Sequence, residues 1–152
     1  MTGLVKLNLA RNGLTDEDLT FLEVMTQLID LDLTANWFLT SIAYLAGLTK
    51  IEVLNLTSTK VTNLSALYGK KYLAKLVMIN MGAKRANMIN FSALQESEQL
   101  RLLDVRENGL RDDWGQNWRD CLPYTFSSRK AKSLFLLRSS PRDHQLKIIT
   151  QD

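Results

Sequence analysis

The stretch LRLLDVRENGL, Leu100 to Leu110, nearly repeats LVKLNLARNGL, Leu4 to Leu14. Between them the same apolar frame returns three more times: Leu28-x-x-Leu31-x-Leu33-x-x-Asn36, Ile51-x-x-Leu54-x-Leu56-x-x-Thr59 and Leu76-x-x-Ile79-x-Met81-x-x-Lys84. The second anchor falls at positions 7, 31, 54, 79 and 103, in steps of 24, 23, 25 and 24 residues. Such a period constrains the fold more than any local propensity, because it reports one supersecondary unit stacked on copies of itself. Each L-x-L alternation is a short strand with one apolar face, and a single such strand cannot bury that face alone. Neighbouring units must supply the wall.

The frame resembles the leucine-rich repeat family, whose units run about 20 to 29 residues, over residues 4 to 110. The resemblance is to the short intracellular type. It implies an α/β fold: a leucine-rich-repeat solenoid, a curved right-handed stack with a parallel β-sheet on the concave face. Short helices, 3-10 turns or irregular segments would form the convex face. Strands are expected near residues 6–10, 30–34, 53–57, 78–82 and 102–106. The resemblance also implies a ladder of inward-turned asparagines bonding the backbone of adjacent turns. Asn12, Asn36 and Asn108 match that position, whereas Thr59 and Lys84 depart from it. Lys84 cannot be buried there unpaired, so the fourth turn is where the frame is weakest.

Between strands the apolar residues recur every third position: Leu39, Ile42, Leu45, Leu48, Ile51, Leu54. That spacing suits a tight 3-10-like convex side. The first connection reads as more helical, since Thr15 with Asp18 three places on forms a capping-box-like start to an acidic first turn. Only three residues precede the first frame, which leaves Leu7 and Leu9 without a polar cap; a longer solenoid or a covering neighbour would satisfy that edge. Residues 111–152 carry eight Lys/Arg against five Asp/Glu and thus the whole net charge of +3. Trp114 and Trp118 lie one helical turn apart there, as expected of a capping segment. A sixth strand is expected near 133–137, anchored by Leu134 and Leu136, and the final residues are read as a further strand or a frayed end.

At 152 residues, with 45% hydrophobic side chains, the chain suffices for one domain. No run of about 18 apolar residues is present, which argues against membrane insertion, and the N-terminus lacks the basic and apolar blocks of a signal peptide. Cys121 stands alone, so no internal disulfide forms. Sequons at Asn55, Asn63 and Asn90 point toward secretion, but weakly, because this tripeptide arises often in Asn- and Thr-rich repeats. The composition therefore favours an intracellular, cytoplasmic protein.

If the leucines face inward, alternate strand residues line the concave face. In the sequence frame one column runs Lys6, Asp30, Val53, Met78, Leu102, and the central one Asn8, Asp32, Asn55, Asn80, Asp104. Beyond them lie Thr57 and Arg106, then Arg11 and Glu107. These residues are the candidate protein-binding surface, with Val53, Met78 and Leu102 as an exposed apolar patch across three rungs. Charge is sorted along the stack as well. Residues 12–49 hold six acidic side chains and no Lys or Arg, and residues 53–95 hold six basic ones and no Asp or Glu.

No catalytic, metal-binding or cofactor-binding constellation is legible. His144 and Cys121 have no partner at ligand or nucleophile spacing, and no glycine-rich phosphate loop appears. Lys70-Lys71 and Lys84-Arg85 make nucleic acid a secondary candidate partner. The leading expectation is a scaffold or adaptor that binds a protein on its concave face. The alternative is a structural subunit of a multiprotein or ribonucleoprotein assembly, its N-terminal edge and C-terminal segment buried by neighbours.

Overall fold

Each repeat frame delivers one three-residue strand. In a computed structural model, which describes residues 3–79, 91–94, 97 and 99–104 and the backbone of one strand near the C-terminus, these are β1 (Lys6–Asn8), β2 (Asp30–Asp32), β3 (Val53–Asn55), β4 (Lys75–Val77) and β5 (Leu102–Asp104). They hydrogen-bond in chain order as parallel neighbours. A sixth strand, β6 (Lys147–Ile149), pairs antiparallel with β5. The strand expected near 133–137 lies outside the described residues, as do Trp114, Trp118 and the rest of that segment.

The convex side is built from 3-10 segments at Glu17–Val24, Ala43–Leu45, Ser65–Leu67 and Phe91–Leu94. The first of these is also 3-10 rather than the α-helix its capping box suggested, although Asp18 does accept both the N–H and the hydroxyl of Thr15. The every-third spacing explains the geometry directly. Leu45 N–H donates to Ile42 O at 2.9 Å, Leu48 N–H to Leu45 O at 3.0 Å and Ile51 N–H to Leu48 O at 3.4 Å. With three residues per turn, every donor in this chain of bonds points the same way. Ile42, Leu45, Leu48, Ile51 and Leu54 are accordingly all buried.

Backbone pairing corrects the fourth unit. The anchors facing one another are Leu7, Leu31, Leu54, Leu76 and Leu103, so the steps are 24, 23, 22 and 27 residues. The segment LAKLVMINM satisfies the repeat frame twice, three residues apart, and the structure uses the earlier frame, Leu73-x-x-Leu76-x-Met78. That choice buries Leu73, Leu76 and Met78 completely and leaves Ile79 half-buried. The extra length falls after β4.

The corrected frame places Lys70 in an apolar column. Leu67 N–H donates to Leu64 O, Lys70 N–H to Leu67 O and Leu73 N–H to Lys70 O, so Lys70 takes in the third unit the place Leu48 holds in the second. Only 2% of it is exposed. Its ammonium donates to Ala46 O of the preceding unit, and burial pushes its pKa down. Ser97 occupies the same place in the next unit, where its buried hydroxyl finds no partner among the described residues.

Convex loops are tied across units as well. Asp16 accepts the Thr40 N–H (2.7 Å), the Thr40 hydroxyl (2.5 Å) and the Ser41 N–H (2.9 Å). Burial pushes its pKa up, but these three bonds prevail and hold the carboxyl below its ordinary value of 3.8. Asp16→Ala is expected to cost about 1 kcal/mol at neutral pH, after allowance for partial solvent exposure. With its folded pKa depressed, Asp16 stabilises the fold above its unfolded pKa, and that contribution fades as pH falls through 3.8 and then through the folded value. Urea unfolding of both proteins from pH 7 downward measures this. A difference that stayed constant below pH 3.8 would contradict it.

Candidate functional site

The inward leucines turn the alternate strand residues outward, so the sheet carries two aligned columns. Register places Lys6, Asp30, Val53, Lys75 and Leu102 in the first and Asn8, Asp32, Asn55, Val77 and Asp104 in the second. Met78 is therefore not on this face; it is fully buried in the core. Lys75 and Val77 stand where the sequence frame places Met78 and Asn80, because the fourth strand begins three residues earlier. Asn80, Arg106 and Glu107 lie outside the described residues.

The first column is mixed. Lys6 and Asp30 form an exposed ion pair at 3.7 Å, a contact worth little by itself in water. Val53 and Leu102 are half-buried, and Lys75 is exposed. Lys6, Leu7, Asn8, Asp30 and Asp32 line an open depression of about 290 Å³ at the N-terminal end of the sheet.

The second column has a structural role in three of its members. Asn8 Oδ1 accepts the N–H of Ala10 at 2.9 Å, Asp32 Oδ1 that of Thr34 at 2.9 Å and Asn55 Oδ1 that of Thr57 at 3.0 Å. Each is an Asx turn that ends the strand by satisfying the N–H two residues on. Val77 and Asp104, the other two, are buried. The strands therefore stop at the third residue, and Arg11, expected on the strand face, lies beyond it at φ 61°. Ala35 and Ser58 share that left-handed conformation. The strained turn persists because it aims the N–H of Arg11, Ala35 and Ser58 at the carbonyls of Thr34, Thr57 and Ile79 in the following units, each at 2.8 Å.

The asparagine ladder is present where it is described. Asn36, fully buried, accepts the N–H groups of Asn12 (3.2 Å) and Leu14 (3.0 Å) and donates to Leu9 O (3.0 Å) and Leu33 O (2.8 Å). Thr59 substitutes in part, its hydroxyl donating to Leu56 O at 2.8 Å. The Asn12 side chain is exposed and, among the described residues, donates only to Ala10 O, at 3.2 Å. Asn108 and Lys84 lie outside the described residues.

Among the described residues no group of three or more His, Cys, Asp or Glu side chains is placed to hold a metal ion. No helix there is long and apolar enough to cross a membrane. Exposed aromatic rings at Trp37, Phe38, Tyr68 and Tyr72 lie outside the concave columns; Lys60 sits 5.8 Å from the Phe38 ring centroid.

No family model and no curated protein sequence matches the chain. Among solved structures, internalin C2 from Listeria monocytogenes, a leucine-rich-repeat protein, is similar at a TM-score of 0.61 and 26% identity over 72% of this chain. The chain spans 45% of the length of that protein. The parallel sheet, the 3-10 convex side and this likeness together establish the fold as a leucine-rich-repeat solenoid.

Proposed function

We propose that this chain is a cytoplasmic protein-interaction scaffold or adaptor whose concave sheet face receives a partner segment carrying both basic and apolar side chains. The observation that carries this reading is the composition of the outward column. Asp30 and Asp32 border the open depression at one end, and half-buried Val53 and Leu102 lie further along the same face. Carboxylates steer and orient a cationic group, and the apolar rungs reward desolvation. Lys6, Asn8, Asp30, Asp32, Val53, Asn55, Thr57, Lys75 and Leu102 are the contact candidates, with Asp104 and Val77 beneath them and Arg11 at the margin. A solenoid-type fold supports protein binding in general, while the identity of a partner belongs to side chains that differ between units.

The test is capture of co-purifying proteins by the wild-type chain and by Val53→Glu and Asp30→Lys variants whose folding is checked by circular dichroism. Both variants should lose at least about tenfold in affinity for a partner that uses this face, equivalent to about 1.4 kcal/mol. Rising salt should weaken the same partner, since the carboxylates are solvent-accessible. Undiminished capture by both folded variants would move the site elsewhere.

One observation favours the second reading, a subunit of a larger assembly. Leu7 and Leu9 in the first unit are only half-buried, whereas the matching Leu31 and Leu33 of the next unit are fully buried. Nucleic acid is less well supported, since Lys70 of the Lys70-Lys71 pair is inside and its ammonium is engaged by Ala46 O.

A further inference from the structure

Asn12 and Asn36 hold the same position in successive units, and their surroundings are opposite. Asn36 is fully buried, both ends of its amide are bonded and the bulky Trp37 follows it. Asn12 is exposed, and Gly13 follows it. A Cβ built on Gly13 would meet nothing within 4 Å, so the space around this peptide is open. Among the described residues the Gly13 N–H makes no hydrogen bond. The Asn12 side chain is held by one bond, to Ala10 O at 3.2 Å.

We propose that Asn12–Gly13 is a self-modification site, converting to aspartate and isoaspartate through a cyclic imide with water as the only co-reactant. The Gly13 nitrogen bonds to Asn12 Cγ and gives up its proton; the Cγ–Nδ2 bond breaks, and Nδ2 leaves as ammonia. Water then adds to one of the two ring carbonyls and reopens the five-membered ring. Opening on one side leaves aspartate. Opening on the other leaves isoaspartate, whose main chain runs through Cβ and gains one atom.

The other asparagines of the described units are protected by the fold. The nitrogen that would attack Asn8 belongs to Leu9 and donates to Asp32 O, and the one that would attack Asn55 belongs to Leu56 and donates to Val77 O, both at 2.8 Å. Asn63 is followed by Leu64, and its Oδ1 is held by the Ser65 N–H. The site also has a structural consequence. Asn12 N–H and Leu14 N–H both donate to Asn36 Oδ1, and an extra main-chain atom between them prevents both from reaching one acceptor. Conversion therefore loosens the first unit from the second and adds a negative charge beside Arg11.

The experiment ages the purified 152-residue chain at mildly alkaline pH and follows each asparagine by peptide mapping. Isoaspartate is counted by enzymatic methyl transfer from S-adenosylmethionine. Asn12 should convert at least about tenfold faster than Asn8 or Asn55, a barrier difference of about 1.4 kcal/mol. Asn12→Gln should abolish the product from that peptide. Mapping separates it from Asn108–Gly109, which has the same dipeptide. Amide exchange at Leu14 should quicken in the aged protein and remain slow in Asn12→Gln. The proposal is overturned if Asn12 stays intact in the folded chain while converting in urea, or if Asn8 and Asn55 keep pace with it.

Discussion

Replacing Met78 with glutamate is expected to unfold the domain, while replacing Lys75 with glutamate, three residues earlier, leaves it folded. Met78 is fully buried in the core, and Lys75 is exposed on the concave face. An unpaired carboxylate at Met78 loses its hydration without compensation and also forfeits the packing of the thioether. Together these cost about 5 kcal/mol, comparable with the whole stability of a marginal domain, about 5–15 kcal/mol. Exposed Lys75 makes no such demand, and its substitution should stay within about 0.5 kcal/mol. Circular dichroism and urea titration read both. The pair also tests the register itself, because the frame beginning at Leu76 would turn Met78 outward: a Met78→Glu protein as folded and stable as Lys75→Glu would restore that frame.

Asn36→Ala should be the next most damaging change, at about 3 kcal/mol, against about 0.5 kcal/mol or less for Asn12→Ala. Removing the Asn36 amide strands the N–H groups of Asn12 and Leu14 and the carbonyls of Leu9 and Leu33. Asn36→Asp should recover little, since a carboxylate accepts but cannot donate to the two carbonyls. Asn12 fills the same motif position, but its side chain donates only within its own turn among the described residues. Chemical denaturation of the three variants decides the matter, and equal costs at positions 12 and 36 would show that the ladder does not carry load between units. The contrast between the two sites is set by neighbours rather than by residue type.

The same distinction runs through the site. The central column of Asn8, Asp32 and Asn55 was legible as polar, yet its main work is local: each carboxamide or carboxylate closes the turn that ends its strand. The proposed contact surface therefore rests mainly on the first column, where Asp30, Val53, Lys75 and Leu102 face outward. Lys70 shows the opposite error of a composition-based view. Grouped with Lys71 it resembles a basic surface pair, whereas three-residue spacing from Leu64 and Leu67 carries it into the core. That spacing was available in the sequence; the charge of lysine obscured it.

What the sequence alone determined was the unit: its period, its inward leucines and the tight convex turns that follow from every-third spacing, with the asparagine ladder implied by the leucine-rich-repeat resemblance. These are short-range consequences of side-chain type and interval, so they can be read from one chain. What only the tertiary structure decided was which of two overlapping frames the fourth unit uses. Leu73-x-x-Leu76-x-Met78 and Leu76-x-x-Ile79-x-Met81 are equally apolar, and a three-residue slip preserves the local pattern. Pairing with Leu54 on one side and Leu103 on the other settles it, because a strand must meet both neighbours at once to bury its leucines and satisfy its backbone. The identity of every outward residue from that rung follows from this single choice of partner.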